Sequence, residues 1–365
     1  MAGFAIRSAC VVHRRTPIAS PVKTAFGVMR ERHGVFLVLR DEDGREGTGE
    51  SWVNFPAWAA WERVAAFEHA FVPRLDGADV EDIPSFIRET YRIFAPPAVQ
   101  SGTVGPLLQA LCAVELALWD LDAQRTGLPL ARLLFDRPAA RVRVYASGLN
   151  TPLPWDRIDE HLDMGVDLYK LKLGFGDDAD RRAVEALLRH LDGRARIAVD
   201  VNRAWTPEQA FEWLPALAEW DVAWLEEPLA PEAEGGLGAL REAGRVPLAG
   251  GENVLMAPGG SVDGPARMPF DFLQPDLTKY APLHMARELL RAAERDGKRV
   301  VPHFLGSGPG LAASLQFAAG CPEALVELDI NPNPLRTDLM EEPFVIEDGC
   351  IAIPDRSGIG WRLKA

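Results

Sequence analysis

At 365 residues the chain exceeds one ordinary domain, and its 47% hydrophobic and 25% charged content is that of a globular protein able to bury a large core. A formal net charge of -14 argues against nucleic acid and anionic membrane as partners, because both carry the same sign, while leaving room for a local metal or lysine cluster that attracts an anion. The four cysteines, at 10, 112, 321 and 350, form no CxxC pair, so neither a zinc site nor a disulfide framework is indicated. A reducing cytoplasm is the expected setting. The opening MAGFAIRSACVVHRR lacks a signal-like apolar run, and no membrane association is expected.

The first 50 residues read as a β-meander of FAIRSACVVH, GVFLVLR and REGTGES, with a turn at Asp43-Gly44. From Phe55 to about Arg125 apolar residues recur three to four apart in AAFEHAFVPRL, IPSFIRETYRIF and LLQALCAVELALWDL, the period of helices. Residues 1–126 are therefore expected to form an α+β capping domain. After Pro138 short apolar runs alternate with amphipathic helices. The runs are RVRVYA, LYKLKL, RIAVDV, VAWLEE, VPLAGG, FDFLQP, RVVPH and ALVEL. This alternation predicts eight parallel strands closed into a barrel over residues 127–339. The expected fold class is thus α/β, a modified TIM (β/α) barrel with an N-terminal α+β cap. The tail, about 340–365, carries a hairpin-like FVIEDGCIAIP that is expected to pack back on the first domain and complete it.

Polar residues unsuited to a barrel core end seven of the eight strands. Lys172, Asp200, Glu226, Glu252, Asp276, His303 and Glu327 are separated by 28, 26, 26, 24, 27 and 24 residues, each step one strand plus one helix. The C-terminal strand ends of a barrel face its catalytic mouth, so these side chains should ring one pocket. An isolated KxK is usually a pair of lysines reaching solvent; here Lys170 and Lys172 share a strand face within the ring. A second lysine and a nearby cation should lower the pKa of Lys172 toward that of a base. Asp200, Glu226 and Glu252 place three carboxylates on adjacent strands. Their repulsion should raise their pKa values unless a hard divalent ion sits among them, and an all-oxygen set with open positions suits Mg2+, with Mn2+ as an alternative. Glu227 faces the other way. Asp276 and His303 stand at neighbouring strand ends, where the carboxylate can orient the imidazole as a second acid/base. Glu327, on the last strand, can reach an oxygen that becomes negative in the transition state.

GSGPG at 306–310 looks like a phosphate cradle but lacks a Walker lysine, and reads as a strand-to-helix turn. Trp52, Asn54, Phe55 and Trp58 form either a lid or a domain interface. Residues 19–32 and 50–58 are candidate specificity loops, with Arg30, Arg32 and Trp52 as substrate contacts.

In order and spacing these residues resemble the enolase superfamily and, within it, the mandelate racemase subgroup. The likeness runs through ALWDLDAQRTGLPLARLL, KLK, DVN, EEP, GEN, QPD and PH, essentially the whole chain. It implies that Asp200, Glu226 and Glu252 are metal ligands, that Lys172 is the base on one substrate face, and that Asp276 and His303 form the dyad on the other. Lys170 and Asn202 become supporting electrostatic residues, and Glu327 a hydrogen-bond donor to the enolate. Asp276 occupies the place of the second lysine of the muconate-lactonizing branch, which disfavours that branch; Lys279 nearby is unremarkable and is not expected to be a base. Ala281-Pro282 and Phe135-Asp136 replace two glycine pairs usual in the subgroup, a difference of loop shape. PHFLGSGPGLAASLQFAA followed by ELDINPNPLR looks most like acid-sugar members.

The expected chemistry is Mg-dependent removal of the proton α to a carboxylate, giving an enediolate. Dehydration of an aldonate or aldarate to a 2-keto acid stands first. Cycloisomerisation of a lactone, or racemisation or epimerisation of a 2-hydroxy acid, are alternatives, and a non-catalytic metal-binding sensor or scaffold is the competing class. The expected partner is a small carboxylate, with the chain a homo-oligomer.

Overall fold

The structure is a computed structural model that describes residues 3–24 and 27–364. Its N-terminal part is a meander of β1 (Phe4–Thr24), β2 (Gly27–Asp41) and β3 (Glu46–Ser51), edged by β4 (Asp79–Val80) in the order β3-β2-β1-β4. The β2–β3 turn forms because Asp41 Oδ1 accepts the backbone N–H of Asp43 and Arg45 at 3.0 and 2.8 Å. β1 and β2 run longer than their apolar cores suggest: beyond a register shift after Pro17 they continue as a two-stranded arm in which Val22 pairs with Met29. The expected specificity loop 19–32 is therefore strand over most of its length, with Ala25 and Phe26 outside the described residues.

Two helices cover the meander. Asp82 caps Ile83–Ser101 through the Ser85 N–H at 2.9 Å, and Gly102, at φ 71°, ends it. The next helix, Val104–Thr126, is buried continuously from Leu107 to Ala123. By length and composition it could cross a membrane, but 83% of its apolar window is inside the protein, because sheet, helices and barrel enclose it on all sides. Gly47 and Gly49 of β3 let it approach, since a Cβ at either would collide with helix backbone at Ala117 or Ala113.

The barrel follows as β5 (Arg141–Leu149), β6 (Leu168–Lys172), β7 (Arg196–Asp200), β8 (Leu225–Glu226), β9 (Leu248–Gly250), β10 (Phe272–Leu273), β11 (Arg299–Val300) and β12 (Leu325–Asp329), parallel in every pair from β5 to β11, with β12 pairing parallel to β5. Inward positions alternate along each strand. A lower layer of Tyr145, Leu168, Ala198, Trp224, Ala249, Phe272, Val301 and Leu325 packs into an apolar plug. Each such large apolar side chain contributes about 1.5–3 kcal/mol on burial. Two residues further along four of these strands, the same inward face carries Lys170, Asp200, Glu226 and Glu327.

The tail differs from expectation. Its hairpin, β13 (Ile346–Glu347) and β14 (Cys350–Ala352), pairs antiparallel with the start of β5, extending the barrel sheet. The residues after it return to the cap, where Ile359 N donates to buried Asp120 at 2.8 Å, and Gly358 exchanges backbone bonds with Leu128 and Leu130 just beyond the cap.

Candidate active site

Strand register builds the first wall. Lys172 of β6 lies opposite Asp200 of β7, and Asp200 opposite Glu226 of β8. Lys172 donates to Asp200, and Lys170, fully buried, donates to Glu226 while standing 2.8 Å from Glu327 and 3.8 Å from Asp200. The Tyr145 ring lies 5.6 Å from the Lys170 ammonium. Glu226 is clamped further by Trp224 Nε1 at 3.0 Å and Gln274 Nε2 at 2.7 Å, both on its Oε2. Asn202, in left-handed conformation at φ 47°, donates its backbone N–H and side-chain amide to Asp200 at 2.8 and 3.2 Å.

The second wall is built across loops. Asp276 follows β10, fixed by Thr278 N and Oγ1 on its Oδ1 at 2.8 and 2.7 Å, and its Oδ2 lies 2.8 Å from His303 Nδ1. His303 Nε2 meets Glu252 at 2.7 Å and stands 3.7 Å from Glu327. Glu327 also accepts from the Ser147 hydroxyl. All seven expected ring residues thus belong to one contact network around the C-terminal strand ends.

The charges depart from the sequence-based expectation. Burial lowers Lys172, but Asp200, Glu226 and Glu252 together outweigh burial and Lys170, so its pKa lies above the usual lysine value rather than below. Of the three carboxylates only Glu226 is raised, to about 8, by burial and by repulsion from Asp200 and Glu327 that Lys170 only partly offsets. Burial pushes Asp200 and Glu252 up, yet Lys172 and Lys170 pull the first below its ordinary value, and His303 and Lys279 pull the second well below. Burial likewise opposes ionisation of Glu327, but Lys170 and His303 hold it ionised, an acceptor here rather than the expected donor. His303 is disfavoured as a cation by burial and nonetheless pushed up to about 10 by Glu252, Glu327 and its bond to Asp276.

Models for the mandelate racemase/muconate lactonizing enzyme N-terminal domain and for the enolase C-terminal domain-like family match residues 6–134 and 156–365. The chain belongs to the mandelate racemase subgroup of the enolase superfamily. It is therefore an enzyme of lyase or isomerase type, in a family whose fold is a modified TIM barrel with an N-terminal cap. It is similar to D-galactarolactone cycloisomerase of Agrobacterium fabrum, 28% identical over 376 aligned residues that cover 99% of this chain and 96% of that one. A mandelate racemase/muconate lactonizing enzyme from Bordetella bronchiseptica superposes at TM-score 0.88 with 31% identity, covering 100% of this chain and 98% of the other. L-talarate/galactarate dehydratase from Salmonella typhimurium, liganded with Mg and L-lyxarohydroxamate, superposes at 0.84 with 26% identity, over 99% of this chain and 91% of that one.

The donor set of this subgroup member fits a divalent cation. In the present side-chain conformations no trio of His, Cys, Asp or Glu among the described residues converges on one point, because each carboxylate is drawn to a lysine or to His303. The same buried shell nevertheless holds six carboxylates, Asp200, Glu226, Glu227, Glu252, Asp276 and Glu327, against Lys170, Lys172, Lys279 and a protonated His303. With Glu226 raised to about 8 and Glu227 to about 7 by burial and neighbouring carboxylates, the shell has more acidic groups than its cations hold ionised, a surplus that a divalent ion would relieve. Glu227 takes the Asn253 amide on both oxygens at 3.0 and 2.9 Å.

Several residues of the site carried no sequence signal. Lys279, set aside as unremarkable, is 6% exposed and donates to Glu252 at 3.1 Å and to Asn253 at 2.7 Å, with the Trp52 ring 4.7 Å from its ammonium. Its place three residues after Asp276 was the available clue. Beyond Lys172 lies a small cavity of about 50 Å³, bordered by Val22 and Met29 of the β1–β2 arm and by the amides of Asn54, Asn150, Asn202 and Asn331. Arg32 closes it, 2.7 Å from Asp329 and 2.8 Å from Asn54, in an ion pair 4% exposed on each side. Of the three expected substrate contacts, Arg32 borders this cavity, Trp52 covers Lys279, and Arg30 is exposed outside its lining. Trp58 is 63% exposed and Asn54 holds Arg32, so that cluster is split between surface and pocket.

Proposed function

We propose that this enzyme removes the proton α to the carboxylate of an acid sugar and expels the β-hydroxyl, yielding a 2-keto acid. The observation that carries the reading is a pair of proton-transfer groups on opposite walls: Lys172 on β6, and His303 oriented by Asp276 at 2.8 Å. The amide-lined cavity beside Lys172 supports a polyhydroxylated substrate, since each amide donates and accepts and so matches hydroxyl groups. When held by Asp200, Glu226 and Glu252, Mg2+, or Mn2+ in its place, supplies a hard Lewis acid for the substrate carboxylate and engages the carboxylates that otherwise keep Lys172 and His303 protonated.

Lys172 takes the α-proton on its face of the substrate. The buried ammonium of Lys170 and the amide of Asn202 hold the carboxylate region electrostatically. His303, protonated and steadied by Asp276, gives its proton to the leaving β-oxygen; the C–O bond breaks, water departs and the enol tautomerises. Glu327 lies within reach of both Lys170 and His303 and keeps the two walls in electrostatic contact. The four unpaired cysteines are consistent with a reducing compartment, where we place the enzyme.

A second reading, opening of an acid-sugar lactone by the same β-elimination, is supported by the end-to-end similarity to D-galactarolactone cycloisomerase. A screen of aldonic acids, aldaric acids and lactones with Mg2+ in heavy water, detecting 2-keto acid and α-deuterium together, separates the readings. His303→Asn is expected to abolish dehydration; full dehydration by that variant removes His303 as the acid. No exchange across the whole screen, with bound metal confirmed, overturns the proposal.

A further inference from the structure

The GSGPG run at 306–310 takes no part in the chemistry above, yet it is built around a carboxylate. Helix Gly308–Ala318 begins five residues after His303, and its first turn leaves backbone N–H groups that no residue within the helix can satisfy. Glu50, next to last in β3 of the capping domain, fills that place. Its Oε1 accepts from Ser307 N and its Oε2 from Gly310 N, each at 2.8 Å, and the side chain is 2% exposed. Burial raises the Glu50 pKa to about 7, while the Ser307 and Gly310 N–H groups and the helix dipole favour its negative form.

The glycines of the run are spaced for this contact. A Cβ on Gly306 would lie 2.7 Å from Glu50 Oε1 and 2.7 Å from Phe304 Cζ; one on Gly310 would lie 2.8 Å from Glu50 Oε2 and 2.5 Å from Phe304 Cε2. Both glycines therefore leave room for the carboxylate and for the ring of the residue that follows His303. Phe304 is 2% exposed, and its N–H donates to Glu327 at 3.3 Å. Glu50, Gly306, Phe304, Gly310 and His303 form one packed unit that joins the two domains. Lys172 has no share in it, being set by strand register against Asp200.

We propose that Glu50 is a positioning residue for His303: the cap, by seating one carboxylate in the turn at 306–310, fixes Phe304 and through it the placement of the imidazole against Asp276 and the substrate. This rests on the reading of His303 as the acid/base of the second wall. A carboxylate that only joined two domains would affect both walls alike.

The test uses the full chain with Mg2+ and the variants Glu50→Gln, which keeps the shape but turns an amide N–H toward a backbone donor, and Glu50→Asp, which keeps the charge but is one methylene short. Hydrogen–deuterium exchange of the backbone over residues 300–312, measured without substrate, should rise in Glu50→Gln and less in Glu50→Asp. Wash-in of solvent deuterium is followed with D-gluconate and D-mannonate, which differ only in configuration at C2 and so offer the α-proton to opposite walls. In Glu50→Gln, kcat on the His303 face should fall about ten- to a hundredfold, as for a misplaced catalytic group, with KM and the Lys172 face changed by no more than about twofold. Glu50→Asp should recover part of the loss, and it carries the same measurements if the Gln variant does not fold. Unchanged backbone exchange in both variants overturns the proposal, and so does an equal loss on both faces or a change in KM alone. If the unmodified enzyme exchanges neither substrate nor any acid sugar of the wider screen, the functional reading fails, while the backbone measurement still decides whether Glu50 holds the loop.

Discussion

The two walls of the pocket are held by different means. Lys170 and Lys172 are fixed by secondary structure: they alternate along β6, whose register with β7 brings Lys172 opposite Asp200. The histidine wall has no such frame. His303 comes after its strand has ended, and its position depends on Asp276 from another loop, Glu252 across the mouth and a turn seated on Glu50, more than 250 residues away in the chain. One wall is rigid by register and the other is assembled by tertiary contacts. The proposed reaction, which takes a proton at one face and delivers one at the other, gains from this, because the assembled wall can be tuned without disturbing the first.

The largest expected effects test whether the walls act separately. Lys172→Ala and His303→Asn should each lower kcat by about 10²–10⁴-fold, each for its own face, as removal of a general acid or base does. Deuterium wash-in that vanishes from both faces in either variant would show a single-base site and break the comparison. Next comes stability. Lys170→Met removes the ammonium that Glu226 and Glu327 share in the core, and should cost about 3–5 kcal/mol, read as a lowered denaturant midpoint. Asp276→Asn should cost about 10–100-fold in activity, the usual loss when an orienting partner is removed, with the fold intact. A loss of stability as large as that of Lys170→Met would mean that this wall too is structural.

The smallest effect concerns pH. In enzyme freed of metal by a chelator, the His303 imidazole should titrate near 10 by NMR, well above its ordinary 6.5, because Glu252, Glu327 and Asp276 favour the cation despite burial. A folded pKa above the unfolded one means that the stabilisation is fully present below about 6.5 and is lost as pH rises through about 10. His303→Asn should lack that part of the stability curve. Added Mg2+ should move the imidazole midpoint downward; a midpoint that stays near 10 with metal bound would remove Glu252 from the ligand set.

Much of this was legible in the chain. Eight apolar runs, each alternating with an amphipathic helix, specify the barrel, and a polar residue recurring every 24–28 positions marks the strand ends that face its mouth. Such signals are local and periodic, and survive in one dimension because strand direction and side-chain alternation convert spacing into place. Charge state was less legible. The sequence-based expectation that Lys172 is depressed follows from Lys170 beside it, but which carboxylate touches which ammonium depends on depth in the pocket, and Asp200 at contact outweighs a like charge farther away. The tail hairpin was recognisable as a hairpin, but its partner, β5, was not, since any unpaired strand edge could have received it.

Asp200, Glu226, Glu252 and Lys172 were thus readable from sequence because each sits at a fixed step along a repeating unit. Lys279, the Arg32–Asp329 pair and Glu50 were not. Their partners lie across the domain interface or on neighbouring loops, where distance along the chain carries no information about distance in space. Only the packing of the cap on the barrel decides that a carboxylate from β3 fills the turn beside His303.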